Sequence, residues 1–448
     1  MNLQDLPTGV PDWLTITGGG TVSRLERAVA RREAWIVDID RPDGQRCEGF
    51  LRLDRQPWPD NPWPLAREAG IVRALAGTRV PVPGVIGMSE TLNCVLFERS
   101  PGRADLPAMP ADQRRAVLEH FFDILADLHT LDVDALPLPP LARPATPRDC
   151  ALAEVDVVTH LFRDFLARHC DPLISYGLDW LERFAPEQVA RLSLVQGDTG
   201  PVNFLFVGDR VSAVIDWEWG HLGDPLEDLG NVCVRNFWNP SGDFDGLFER
   251  YEKRSGIPVD RFRVGYYRVQ QNMRGMLPIA ANTAQLNPRE PLAWHLAYRY
   301  VGDRSTVEAL ADAMRIPIAP PEFPTDETGP DILAQAALWS LENDIAPSLA
   351  PGFARARLHD AGILVRCLDR VHRFESVLAA IELDELHALL GQRPASLAEG
   401  LAQADMAIRA RRLADEKVLP WLARRAYRLE WLYAPAATLY PDRRWTPI

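Results

Sequence analysis

The sequence predicts an α+β chain in three stretches: a small strand-rich N-terminal region, a mainly helical middle, and an all-α C-terminal region. Three observations lead there. Strand-like runs are confined to about the first hundred residues and to one hairpin near residues 203–216. Helical periodicity dominates elsewhere from residue 111 onward. The segment RIPIAPPEFPTDETGP (315–330) packs five prolines into sixteen residues, the composition of an interdomain linker. The implied organisation is an N-terminal lobe over 1–102, a second lobe over 103–315, a proline-rich linker over 316–330 and a helical domain over 331–448.

Each element has a local reason. WIVDIDRPDGQRCEGFLRLD (35–54) reads as two strands around a turn at Pro42-Asp43-Gly44. A helix follows, with Pro64 in its first turn and LAREAGIVRALAG running to a stop at Gly77. VPVPGVIG and NCVLFE supply two further strands. Residues 111–131 form an amphipathic helix with Val117, Phe121, Leu125 and Leu128 on one face. NFLFV and RVSAVID flank Gly208-Asp209, a two-residue hairpin signal. Beyond the linker, Ser396-Leu-Ala-Glu399 has the form of a capping box opening a long helix interrupted near Pro420.

Composition narrows the function classes. The chain has 448 residues, 47% of them hydrophobic and 25% charged, with a net charge of −13. Most of that charge, about −11, falls in the first 323 residues. An acidic chain has no general attraction for phosphate backbones, which argues against nucleic acid as a partner. No apolar run approaches the ~20 residues of a membrane helix, and no secretory signal is readable at MNLQDLPTGVPDWL. The six cysteines form no Cys-x-x-Cys pair, so a reduced, cytoplasmic protein is expected. Lysine occurs only at 253 and 417, so a cation that holds phosphate here should be arginine.

The segment LVQGDTGPVNFLFVGDRVSAVIDWEWGHLGDP (194–225) carries the chemistry. In a hairpin centred on Gly208-Asp209, Asn203 and Asp216 come close at the open end. Asp198 enters that end five residues before Asn203, on an irregular Gly-Asp-Thr-Gly-Pro loop. Two carboxylates and an amide oxygen are hard donors suited to Mg²⁺. Asp, four residues, Asn, a hairpin and then Asp is the spacing of phosphoryl-transfer enzymes, in which the first Asp orients the attacking hydroxyl and the other two bind metal.

These residues resemble the aminoglycoside phosphotransferase family, in particular a bacterial branch related to kinase domains fused to, or encoded near, acyl-CoA dehydrogenases. The matching stretches are Gln196-Gly197-Asp198, Asn203, Ile215-Asp216-Trp217-Glu218, Gly223-Asp224-Pro225 and Asp228. The resemblance spans roughly residues 10–315 and implies a bilobal protein-kinase-like fold. It also implies Asp198 as catalytic base, with Asn203 and Asp216 as Mg²⁺ ligands. Gln196 stands where the family has histidine, so altered support of the loop is expected. A kinase-like site also needs a cation on a central strand and a glutamate on a nearby helix. Arg52 in GFLRLD and Glu68 in LAREAG fill these places, and the resemblance supports both. Gly19 and Gly20, in the run Gly18-Gly19-Gly20-Thr21, match the Gly-rich loop over the phosphates, whose backbone N–H groups cradle anions. Val95–Gly102 resembles the hinge, where the backbone of Glu98 and Ser100 would bind adenine. His129 reads as a structural histidine at a helix end.

The expected activity is an ATP- or GTP-dependent, Mg²⁺-requiring transfer of phosphate to the hydroxyl of a small molecule. The branch favours a hydroxyacyl-CoA or a hydroxy acid, and residues 150–185 and 235–300 should wall the acceptor. Two alternatives stay open: an aminoglycoside or macrolide phosphotransferase, and a weakly catalytic nucleotide-binding scaffold or regulatory partner of a metabolic dehydrogenase. The C-terminal helices resemble an uncharacterised domain found behind such kinases. Their aromatics should fill a helical core, with a homodimer interface or a docking surface for a partner enzyme as alternatives.

Overall fold

The computed structural model describes residues 3–28, 33–55, 61–285, 291–325 and 329–448. Five strands form one antiparallel sheet: β1 (Thr21–Arg27), β2 (Ala34–Asp40), β3 (Arg46–Leu53), β4 (Val85–Ser89) and β5 (Cys94–Glu98), in the order β1-β2-β3-β5-β4. Period-two alternation along β3 sorts its side chains. Cys47, Leu51 and Leu53 are buried in an apolar cluster with Val37, Ile39 and Leu96. Phe50 and Arg52 are therefore turned to the opposite face. The cluster is completed by Val10 and Leu14 of a helix, Val10–Gly18, that the sequence reading did not assign. Its signals were present, with Pro11 in the first turn and Gly19 in the left-handed conformation after the last. Helix Leu65–Leu75 packs on β4 and β5 and buries Glu68.

Helix Ala111–His129 buries Val117, Phe121, Leu125 and Leu128, as expected. Two short strand pairs follow in the same part of the chain. β6 (Ser193–Val195) pairs with β9 (His221–Gly223), and β7 (Phe204–Val207) pairs with β8 (Arg210–Val214). The β7–β8 hairpin turns through Gly208 and carries a bulge between Leu205 and Phe206, opposite Ser212. The bulge shifts the register by one, so Ile215 N–H donates to the Asn203 carbonyl at 3.0 Å. Helix Leu226–Trp238 follows.

In packing, the chain does not divide at the prolines. One compact unit holds residues 1–150 and 188–260, and the other holds 151–187 with 261–448. Within the second unit the C-terminal helices share their interior with earlier ones. Arg183 of helix Pro172–Arg183 makes two 2.9 Å bonds to Asp415, and Tyr176 makes a third at 2.9 Å. Ser175 donates to Asp405 at 2.6 Å, and Tyr300 stacks on Tyr433 at 4.1 Å. The helix opened by Ser396, whose hydroxyl accepts from Glu399 N–H, ends at Arg409. The next runs Asp415–Leu432 with Pro420 inside it, so the interruption lies at 410–414 and not at the proline. Trp421 is buried, Phe374 meets Trp431 edge to face with ring centroids 4.7 Å apart, and Trp339 is exposed.

Candidate active site

Arg52 organises one half of the site. Its Nη1 donates to Glu68 at 2.8 Å and to Asp216 at 3.0 Å, and its Nη2 donates to Glu218 at 3.1 Å. The side chain is 12% exposed. Burial opposes its charge, but Glu68, Asp216 and Glu218 together raise its pKa above the ordinary guanidinium value. Sequence reasoning named Arg52, Glu68 and Asp216. Glu218 stands in the sequence only as a motif match, and its place as the third carboxylate on the guanidinium is visible only in space.

The loop 196–203 forms the other half. Asp228 is fully buried on helix Leu226–Trp238 and acts as its anchor. It accepts from the N–H groups of Gln196 and Gly197, each at 2.9 Å, and from the Thr199 hydroxyl. His129 Nε2 lies 3.1 Å from the same carboxylate, and its Nδ1 lies 2.8 Å from the Tyr251 hydroxyl. Burial pushes the Asp228 carboxyl up, but His129, Thr199 and the Gln196 amide outweigh it and hold the group below the usual carboxylate range. His129 is thus buried at a helix end, two contacts deep. Gly197 has φ 83°, and a Cβ there would stand 2.4 Å from the Trp219 carbonyl, so only glycine fits.

Gln196 braces the loop through both ends of its side-chain amide. Its Nε2 donates to the carbonyls of Ile215 and Asp216 at 3.0 and 2.7 Å. Its Oε1 accepts from Asp198 N–H at 2.8 Å and from the Thr199 hydroxyl at 3.1 Å. One amide side chain therefore ties the Asp198 loop to the end of β8. Asn203 Nδ2 donates to the Asp198 carbonyl at 2.6 Å and to its carboxylate at 3.0 Å. The Asp198 carboxylate also accepts from Arg235: Nε at 2.9 Å to one oxygen, and Nη2 to the other. Arg235 was missed in the sequence, because nothing local connects a helix arginine with a loop aspartate 37 residues earlier.

A cleft of about 390 Å³ joins these parts. Arg52, Glu68, Asn203, Asp216 and Glu218 line its polar end, and Phe50, Val72, Phe97 and Leu205 are among its apolar walls. Glu98 and Ser100 line it too. Glu98 N–H is taken by the Gly84 carbonyl at 2.7 Å. Trp217 is buried beside the cleft, and Trp219 packs on Trp63.

Gly19 and Gly20 do not belong to this site, which corrects the expectation from the Gly-rich run. Both N–H groups donate to the Thr15 carbonyl and close the helix Val10–Gly18. Thr21 pairs with Asp40, whereas Arg27 pairs with Trp35 and Ala34 with Arg52. The glycines therefore stand at the end of β1 away from Arg52. The β1–β2 turn at the near end includes residues 29–32, which lie outside the described residues.

The acyl-CoA dehydrogenase family member 10 of Mus musculus is 28% identical over 228 residues, which are 48% of this chain and 20% of that protein. The hygromycin-B 4-O-kinase of Escherichia coli is 25% identical over 179 residues, 38% of this chain and 51% of that enzyme. The match therefore spans about a fifth of the length of the mouse relative and about half of the bacterial kinase. The solved structure of aminoglycoside phosphotransferase APH(4)-Ia aligns with a TM-score of 0.46 at 20% identity, covering 66% of this chain and 98% of that one. The model of the family described as phosphotransferase enzyme family matches residues 32–267, more than half of the chain, from β2 past the helix that carries Asp228 and Arg235. By that match the chain is a member of the phosphotransferase enzyme family.

Proposed function

We propose that the chain transfers the γ-phosphoryl group of ATP or GTP to the hydroxyl of a small molecule. The observation that carries this reading is the convergence of Arg52, Glu68, Asn203 and Asp216 on one cleft, with Asp198 held beside Asn203. Arg52, oriented by Glu68, would bind the α- and β-phosphates through its planar fork. The hinge backbone at Glu98 and Ser100 would hold the base. Asp198 would orient the acceptor hydroxyl and take its proton as the oxygen bonds to the γ-phosphorus. The bond from that phosphorus to the bridging oxygen breaks, and the nucleoside diphosphate leaves with the electron pair. Positioning and electrostatics supply most of the acceleration in such a reaction.

The donor set fits Mg²⁺. Among the described residues no three His, Cys, Asp or Glu side chains are grouped to hold a metal by themselves. Asn203 and Asp216 offer an amide and a carboxylate, few ligands, as is usual where substrate phosphates complete the coordination. Asp216 already faces a cation, the Arg52 guanidinium. Bound there, Mg²⁺ would supply neutralisation of phosphate charge.

The acyl-CoA dehydrogenase names of several relatives support a hydroxyacyl-CoA or hydroxy acid as acceptor. The hygromycin kinase supports an aminoglycoside. The test is ATP consumption across hydroxy acids, hydroxyacyl-CoA esters, aminoglycosides and macrolides, with and without Mg²⁺. Asp198→Asn should cut transfer by about 10²- to 10⁴-fold while nucleotide still protects against thermal unfolding. Nucleotide protection with no transfer to any alcohol would replace the enzyme by a nucleotide-binding scaffold.

A further inference from the structure

The contact between Arg235 and Asp198 needs an explanation that the transfer reaction alone does not supply. Both oxygens of the proposed base accept from one guanidinium, and one of them also accepts from Asn203. A hydroxyl approaching Asp198 meets a carboxylate already covered by a fork. The fork is built in. Gly200, at φ 138°, lies against its stem, and a Cβ there would stand 2.7 Å from the Arg235 Cβ. Arg235 shares a helix face with Asp228, two turns earlier, so the helix that anchors the loop also aims the guanidinium at it. Arg235 is not among the residues lining the nucleotide cleft, where Arg52 already serves the phosphates. Its side chain is 26% exposed, so solutes can reach it.

We infer that Arg235 is a specificity-determining residue that receives a carboxylate on the acceptor. In the absence of acceptor, the Asp198 carboxylate fills the fork in its place. The inference rests on the reading of Asp198 as the base, and it narrows the acceptor to a free hydroxy acid. A planar fork binds carboxylate through two parallel N–H···O bonds. When the acceptor's carboxylate takes the fork, Asp198 is released toward the hydroxyl that the same molecule carries. The base is then freed only by a substrate that brings its own anion. Because the fork and the base are in direct contact, hydroxyl and carboxylate should be separated by only a few carbons. A hydroxyacyl thioester, which has no charge at that carbon, and a cationic aminoglycoside fit the fork poorly.

The test is binding, so it does not depend on turnover. Straight-chain hydroxycarboxylates, with the hydroxyl stepped from the α to the γ carbon, are titrated calorimetrically into the full chain beside their primary amides. The wild type should bind at least one carboxylate more tightly than its amide. Arg235→Met should weaken that carboxylate by roughly ten- to a hundredfold and leave the amide unchanged. Arg235→Lys, which keeps the charge without the fork, should recover only part. Asp198→Asn removes the internal competitor and should tighten carboxylate binding severalfold. Circular dichroism melts confirm that each variant is folded. The inference is overturned if no carboxylate outbinds its amide, if Arg235→Met weakens both alike, or if Asp198→Asn leaves the affinity unchanged. It is equally overturned if Arg235→Met raises the KM for ATP alone, which would assign the fork to the nucleotide. The binding pattern without phosphate transfer would retain the carboxylate site and remove the kinase reading.

Discussion

Arg52 is the residue on which the first half of the site depends. It donates to three carboxylates, and two of them, Glu68 and Glu218, are buried. Removing one member of a buried ion pair costs about 3–5 kcal/mol, because the remaining charge is stranded. Arg52→Met should therefore lower the urea-unfolding free energy by about that amount, and Arg52→Met with Glu68→Met should recover part of it. A second prediction concerns Asp228. Its folded pKa is held below the ordinary value of about 3.9, so the folded state binds fewer protons than the unfolded chain as pH falls past that point. The stabilisation is fully present above the unfolded pKa and is lost as pH falls through the lowered folded value. Asp228→Asn should lower stability at neutral pH and flatten the acid limb of a urea-midpoint profile measured from pH 6 down to about 2.

At the scale of elements, the β7–β8 hairpin and its flanking loop concentrate backbone strain. Val202 has φ 76° and Asp216 has φ 61°, both in the left-handed region. Asp tolerates that region better than most L-residues, but a β-branched valine is a genuine outlier there. Such residues cost of order 1–3 kcal/mol and collect at functional sites. Val202 lines the cleft one residue before Asn203. Val202→Gly should raise the urea midpoint, by about 1 kcal/mol in stability after the entropic cost of glycine. It should also lower kcat, because the loop holding Asn203 would be less constrained. A lower midpoint, or an unchanged kcat, would assign the strain no role.

For the whole molecule, the decisive feature is that the C-terminal helices complete a core begun much earlier in the chain. Asp405 and Asp415 bond Ser175, Tyr176 and Arg183, and Tyr427 donates to Glu308 at 2.5 Å. Cutting after residue 330 strands these groups and uncovers the faces of helices 172–183 and 292–314. The truncated chain should be expressed poorly or bind a hydrophobic dye strongly, with loss of cooperative melting. A monomeric, cooperatively melting 1–330 fragment would show the proline-rich segment to be a true domain boundary.

Much of the site could be read before any coordinates, and the reason is local. Alternation along residues 46–53 turns Arg52 away from the apolar core, and a two-residue turn at 208–209 brings Asn203 beside Asp216. The helix at 65–75 follows from apolar spacing and a proline start, and Glu68 is placed on it by the kinase-like pattern, whereas its burial is seen only in the fold. What the sequence could not supply were partnerships between distant segments: Glu218 on Arg52, Arg235 on Asp198, and His129 on Asp228. The glycines at 19 and 20 show the same limit. Their type announces a turn, but which end of the sheet that turn occupies is set by the pairing of β1 with β2. Periodicity and turn chemistry act over a few residues and leave their mark in the chain. Ion pairs and shared cores are chosen by packing across hundreds of residues, and only the folded arrangement decides them.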